Sequence, residues 1–159
     1  MLFAIYSTYL QQTQKKESFF QCSPLTNTVA NQTESVLNFF GYNAISIQHE
    51  KEMSVKLLID DVYTARVIEG CNSMSIIILF IAFIVAFAGT LKATVLYALF
   101  GSLFIYVINI LRIAFLTVML SKYPNQQEFL HNLVFPAIIY GTTFLLWVIW
   151  VNRFSNYKK

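Results

Sequence analysis

Charge is what this chain has least of. Only 12% of its 159 residues are Asp, Glu, Lys or Arg, against about a quarter in a typical soluble domain. Together with 57% hydrophobic residues and 15 Phe, that deficit argues against a soluble domain and for the membrane class. The net charge of +3 is too small to argue for a nucleic-acid partner. Two histidines and two cysteines without ligand spacing speak against a metal centre. There is no Gly-rich phosphate loop, internal repeat or low-complexity tract, and no cofactor is implied. Cysteine is too scarce for a disulfide-stapled small domain, although a bond between Cys22 and Cys71 remains the bland reading of the pair.

What the chain does have is long apolar runs. Met74 to Ala88 carries no charge, and Gly89-Thr90 ends it. Ala93 to Leu120 is interrupted only by Asn109 and Arg112; at about 42 Å as a helix, it must tilt or project beyond the hydrocarbon. Leu133 to Val151 ends with Trp147 and Trp150, expected near the inner interface where aromatic belts sit. Lys92, Arg153, Lys158 and Lys159 flank the runs on one side, which the positive-inside rule places in the cytoplasm. Met1 to Leu10 is apolar but too short to span. It lacks signal-peptide features, and the expectation is the outer end of a first helix whose beginning is missing.

Gln11 to Gly70 is the sizeable water-facing portion. The spacing of Val29, Thr33, Val36, Leu37 and Phe40 predicts an amphipathic helix over Thr26–Phe40, stopped by Gly41. Ala44–His49, Ser54–Ile59 and Tyr63–Ile68 are partly alternating and rich in β-branched residues, and the charged turns HEKEM and DD separate them. They predict a short antiparallel meander. The expected fold is therefore mainly α and polytopic. Three full transmembrane helices (about 74–90, 93–120 and 133–151) follow a partial one over 1–10. A small extracytoplasmic α+β insertion over 11–70 precedes a membrane core over 71–159 with a basic cytoplasmic tail.

Cys71, Arg112 and His131 each fall at one end of an apolar run, with Lys92 or Arg153 about 20–22 residues away, close to a bilayer's hydrocarbon thickness. If the runs alternate in direction, all three emerge on one face. An arginine in such a run costs at least about 2.5–3.5 kcal/mol at mid-membrane, so it faces a partner or a watery cavity, unless it snorkels among headgroups. Asn109, three residues before Arg112, shares its helix face, and the two offer donors for a carbonyl or an oxyanion. Cys71, at a helix N-terminal boundary near Arg112, has the setting of a reactive thiol; a buried inert thiol is the alternative. His131 is a candidate acid and base, or an ordinary interfacial residue. Glu69 is placed to orient His131 or pair with Arg112. His49, in a charged turn, has no such scaffold.

The order Cys, Arg on the following helix, then His resembles the exosortase/archaeosortase family. EGCNS around Cys71, NILRI over Asn109 to Ile113, and His131-Asn132 carry the resemblance. It extends over about Val62 to Val151 and is most similar to the small exosortase F-type proteins of Bacteroidetes; the larger members have more spans. It implies a membrane cysteine transpeptidase in the bacterial inner membrane, with the site on the periplasmic side and the C-terminus cytoplasmic. Catalysis falls to Cys71, Arg112 and His131, supported by Asn109, Glu69 and Asn132. The implied partners are exported proteins bearing a C-terminal motif, a transmembrane helix and a basic end, plus an acceptor such as a glycan or lipid. A cysteine peptidase without transfer and a non-catalytic membrane subunit or assembly factor are the rival readings.

Overall fold

The computed structural model describes residues 7–8, 23–49, 54–68, 71–87, 89–123 and 133–154. Apart from Ser7 and Thr8, the expected partial helix over 1–10 lies outside them. In chain order the elements are α1 (Pro24–Phe39), β1 (Ala44–Gln48), β2 (Ser54–Ile59), β3 (Val62–Ile68), α2 (Met74–Ala86), α3 (Leu91–Lys122) and α4 (Phe135–Arg153). The protein is thus mainly helical with one small sheet.

Helix α1 starts where the sequence provides a cap. The Ser23 hydroxyl accepts from the Thr26 N–H, and Pro24 occupies the first turn, where a missing N–H does no harm. It ends in a Schellman motif. Gly41 has φ +86°, its N–H reaches the Asn38 carbonyl, and the Tyr42 N–H reaches that of Leu37. The buried stripe is Thr26, Val29, Ala30, Thr33 and Leu37. Phe40 was expected on it but is 66% exposed, because it is the C-cap and the helix has already turned away.

The strands form an antiparallel sheet of order β1-β2-β3. Asp60 and Asp61, both at positive φ, make the tight turn between β2 and β3, as a two-residue hairpin of this hand requires. One face of the sheet presents Val55, Leu57, Ala65 and Val67, all buried against Val29 and Ala30 of α1 and Ile113, Leu116 and Leu120 of α3. Side chains of α1 also cover the free edge of β1. Asn38 exchanges hydrogen bonds with the Ala44 backbone, and Glu34 accepts from the Ser46 N–H.

The 32 residues of α3 make a rod of about 48 Å, well beyond the roughly 30 Å of hydrocarbon. Among the described residues it is the helix whose length and composition suffice for a crossing. The turns from Ile113 to Leu120 lie in the core with α1 and the sheet. Lower down, α2, α3 and α4 close around Phe80, Ile84, Ile105, Ile139 and Trp150. On the outside of α3, Leu96, Phe100, Leu103, Val107, Leu111 and Phe115 are exposed, a continuous apolar band suited to lipid rather than water.

Two expectations need correction. Helix α2 spans 13 residues, Met74–Ala86, about 20 Å, rather than reaching residue 90. Trp150 does not face an interface: it is fully buried, donates its indole N–H to the Phe87 carbonyl at 2.9 Å, and stacks on Phe154. An indole buried this way satisfies a carbonyl at the end of α2 that no further helical turn would reach.

Candidate active site

Just before α2 the chain bends at Asn72 and Ser73, and Cys71 stands immediately ahead of that bend. Ser73 adopts the left-handed backbone region, φ 59°, which a non-glycine residue enters at a cost of order 1–3 kcal/mol. The bend is held from within. The Ser73 hydroxyl donates to the Asn72 carbonyl, and the Asn72 side-chain oxygen accepts from the Met74 N–H. Asn72 and Ser73 are both buried, so little of this segment is available to relax. Cys71 itself is half-buried and carries a free thiol. Cys22, its possible disulfide partner, lies outside the described residues.

The cysteine stands two residues before the Ser73 N-cap rather than on the helix boundary. The helix dipole acts within the first turn, so its influence on the sulfur is weaker than the sequence suggested. Arg112 lines the same cavity as Cys71, together with Tyr140.

Asn109 and Arg112 reach the bend from one face of α3. The fully buried Asn109 donates from Nδ2 to the Cys71 main-chain carbonyl at 2.7 Å. Its Oδ1 is also buried and makes no hydrogen bond among the described residues. The sequence suggested that Asn109 points a donor at the substrate; in the structure that amide grips the chain carrying the thiol. One turn further on, Arg112 opens onto a cavity of about 260 Å³. Its walls come from the end of β3 (Arg66, Val67, Ile68), the bend (Cys71, Ser73), α2 (Ile76), α3 (Asn109, Arg112, Ile113, Leu116) and α4 (Pro136, Ile139, Tyr140).

Cys71, Asn109 and Arg112 are therefore brought together, as expected. His131, Glu69 and Asn132 lie outside the described residues. His49 is described, follows β1 and is not among the residues lining the cavity. The sequence reading missed Arg66 and Tyr140. Tyr140 had a signal, since Pro136, Ile139 and Tyr140 recur at helical spacing soon after His131. Arg66 had a fainter one, as a cation in a strand ending three residues before Cys71. Among the described residues no cluster of His, Cys, Asp or Glu is arranged to hold a metal. What the arrangement can do is confine a thiol and a guanidinium in one pocket, a combination suited to acyl transfer with a stabilised oxyanion.

No curated protein and no solved structure matches the chain. A family model described as transmembrane exosortase matches residues 3–151. The chain, which places Cys71 and Arg112 on the wall of one cavity, thus belongs to the exosortase family, a family of transmembrane proteins.

Proposed function

We propose that this protein is a membrane-embedded cysteine transpeptidase that cuts a C-terminal sorting tail from exported proteins and transfers them to an acceptor. The observation that carries the reading is the shared cavity: Cys71, whose thiol is free, and Arg112, contributed by different elements, line one pocket in a chain of this family.

In the proposed reaction His131 takes the Cys71 proton, and Sγ attacks a backbone carbonyl of the tail. Arg112 donates to the resulting oxyanion. The carbon–nitrogen bond then breaks, His131 returns its proton to the leaving amine, and a thioester remains on Cys71. A nucleophile of the acceptor, an amine or a hydroxyl of a glycan or lipid, loses its proton to His131 and attacks that thioester. The carbon–sulfur bond breaks, releasing the conjugate and regenerating the thiol. Asn109 acts as a positioning residue through the Cys71 carbonyl, and Glu69 and Asn132 support His131.

The proposed setting is the bacterial inner membrane. Helices α2, α3 and α4 cross it together with the apolar start of the chain, the cavity opens on the periplasmic side, and the basic C-terminus is cytoplasmic. Helix α2, about 20 Å long, crosses together with the residues that flank it, which sets Cys71 near the membrane surface, where an incoming tail helix meets it by diffusion in two dimensions.

The test is to trap the thioester. A His131→Ala variant is isolated from cells that export tailed proteins, and Cys71 is examined by mass spectrometry for an attached peptide. A peptide ending at the tail junction supports transpeptidation, as does a conjugate of that peptide with the acceptor in wild-type cells. Normal tail removal in a stably inserted Cys71→Ala variant contradicts it.

A further inference from the structure

A second hollow, of about 620 Å³, falls within the roughly 300–1,000 Å³ of small-molecule sites. Its walls come from the β2–β3 turn, β3, Tyr42 just past α1, and the last turns of α3. It is separate from the cavity of Cys71, and the two have only Arg66 and Leu116 in common as wall residues. Ser121, on its wall, stands about 14 Å further along α3 than Arg112. In the proposed topology this hollow is therefore farther from the hydrocarbon than the arginine is.

The polar groups on its walls are mostly acceptors. An ionised Asp60 carboxylate only accepts. The Ser121 hydroxyl donates to the Val118 carbonyl and the Thr64 hydroxyl to that of Val62, so both keep lone pairs but no free hydrogen. Tyr42 and Tyr63 add two phenols, each an apolar ring with a hydroxyl at its rim. Arg66 already interacts within the protein. A lining of this kind is matched by a ligand rich in donors, which phosphate and carboxylate groups are not. An ammonium group would use one corner of the hollow and meet Arg66 as a like charge. Several hydroxyls on an apolar ring skeleton suit all of it: hydroxyls for Asp60, Thr64 and Ser121, C–H faces for the phenols, Leu116 and Leu120. Two of the contacts are held in advance. The Asp60 N–H is bonded to the Asn43 carbonyl and the Tyr42 N–H to that of Leu37, which lowers the ordering cost of binding.

We infer that this hollow binds a neutral sugar unit and so holds an acceptor glycan beside the catalytic cavity. The acceptor role rests on the proposed transpeptidase reading and specifies its second substrate. Because the hollow and the cavity are separate, the bound sugar is an anchor, and a neighbouring unit of the same glycan reaches past Arg66 and Leu116 to react. A hydroxyl of that unit attacks the carbonyl of the Cys71 thioester. A carbon–oxygen bond forms, the carbon–sulfur bond breaks, and the hydroxyl proton ends on the sulfur, leaving an ester of the exported protein with the glycan.

The experiment uses the full-length protein, purified in the sugar-free detergent lauryldimethylamine oxide. The probe is a set of short neutral oligosaccharides made by partial acid hydrolysis of the host cells' surface polysaccharide, and binding is read by saturation-transfer NMR. Wild type and Ile47→Ala, a change on β1 outside the hollow, should bind alike. Asp60→Asn and Tyr63→Ala should each weaken binding about tenfold. Asparagine tolerates the positive φ of Asp60, and Tyr63 is already 53% exposed, so neither change empties the core. No binding by the wild type, or equal binding by all four proteins, overturns the site, as does binding of ethanolamine in place of the sugars. In cells, mass spectrometry of processed proteins should find sugar on their C-terminal peptides with the wild type. The sugar-bearing share should fall about tenfold in Asp60→Asn and Tyr63→Ala. A lipid or a plain carboxylate on the wild-type product overturns the acceptor role alone, whereas normal tail removal in Cys71→Ala overturns the transpeptidase reading itself.

Discussion

Replacing Asn109 by alanine deletes the single described hydrogen bond between the longest helix and the backbone of the cysteine. The bond is 2.7 Å long, and the asparagine is fully buried. Loss of the donor leaves the Cys71 carbonyl without that partner in a desolvated place, a penalty of about 1–3 kcal/mol. Little else can take over, because the bend already uses the hydroxyl of Ser73 and the amide oxygen of Asn72 internally. If that energy is expressed as displacement of the thiol from Arg112, tail removal falls roughly 5- to 150-fold. Two readouts separate positioning from collapse. The variant should still accumulate in the membrane, and a membrane-impermeant maleimide should label Cys71 at an altered rate, since the sulfur has moved. Asn109→Asp should not rescue, for an ionised carboxylate has no donor to offer the carbonyl. Wild-type processing and wild-type labelling in Asn109→Ala would refute the reasoning, because the bond would then hold nothing that matters.

Other expectations follow from the same geometry. Arg112→Lys keeps the charge but loses the planar fork, and tail removal should drop about 100-fold or more with unchanged membrane accumulation. Gly101 on α3 lies against the ring of Phe80, into which an added methyl would run; Gly101→Ala should cost about 1–3 kcal/mol, seen as a lower melting temperature in detergent and partly relieved by Phe80→Leu. Trp150→Phe removes the bond to the Phe87 carbonyl and should destabilise by about 1 kcal/mol in the same assay without altering the reactivity of Cys71.

Much of this architecture was legible in the sequence, for identifiable reasons. The period of Val29, Thr33 and Leu37 marked α1, and Gly41 marked its end, because only one face of that helix meets the sheet. Alternation and the Asp60-Asp61 pair located the meander. The bounds of α3 moved by only about two residues at each end. What the sequence could not distinguish is apolar contact with protein from apolar contact with lipid. Ile113, Leu116 and Leu120 belong to a long apolar run, yet they pack against α1 and the sheet. Trp150 misled in the same way, as an indole near a span's end suits an interface and a buried carbonyl equally well. The partner of Asn109 was hidden for a different reason. It is a main-chain carbonyl, which every residue has and no sequence pattern announces. Arg112 and Cys71, which line one cavity, stood out in the sequence because a cation in an apolar run and a thiol among small polar residues are each conspicuous.

The account stands on the chemistry of one sulfur atom, and that can be measured in living cells. Exported proteins are collected from cells lacking this chain and complemented with either the wild type or Cys71→Ala, and their C-terminal peptides are quantified by mass spectrometry. The account predicts that sorting tails disappear with the wild type and persist with Cys71→Ala, although both proteins reach the membrane in equal amounts. Tails lost to the same extent in both would contradict it.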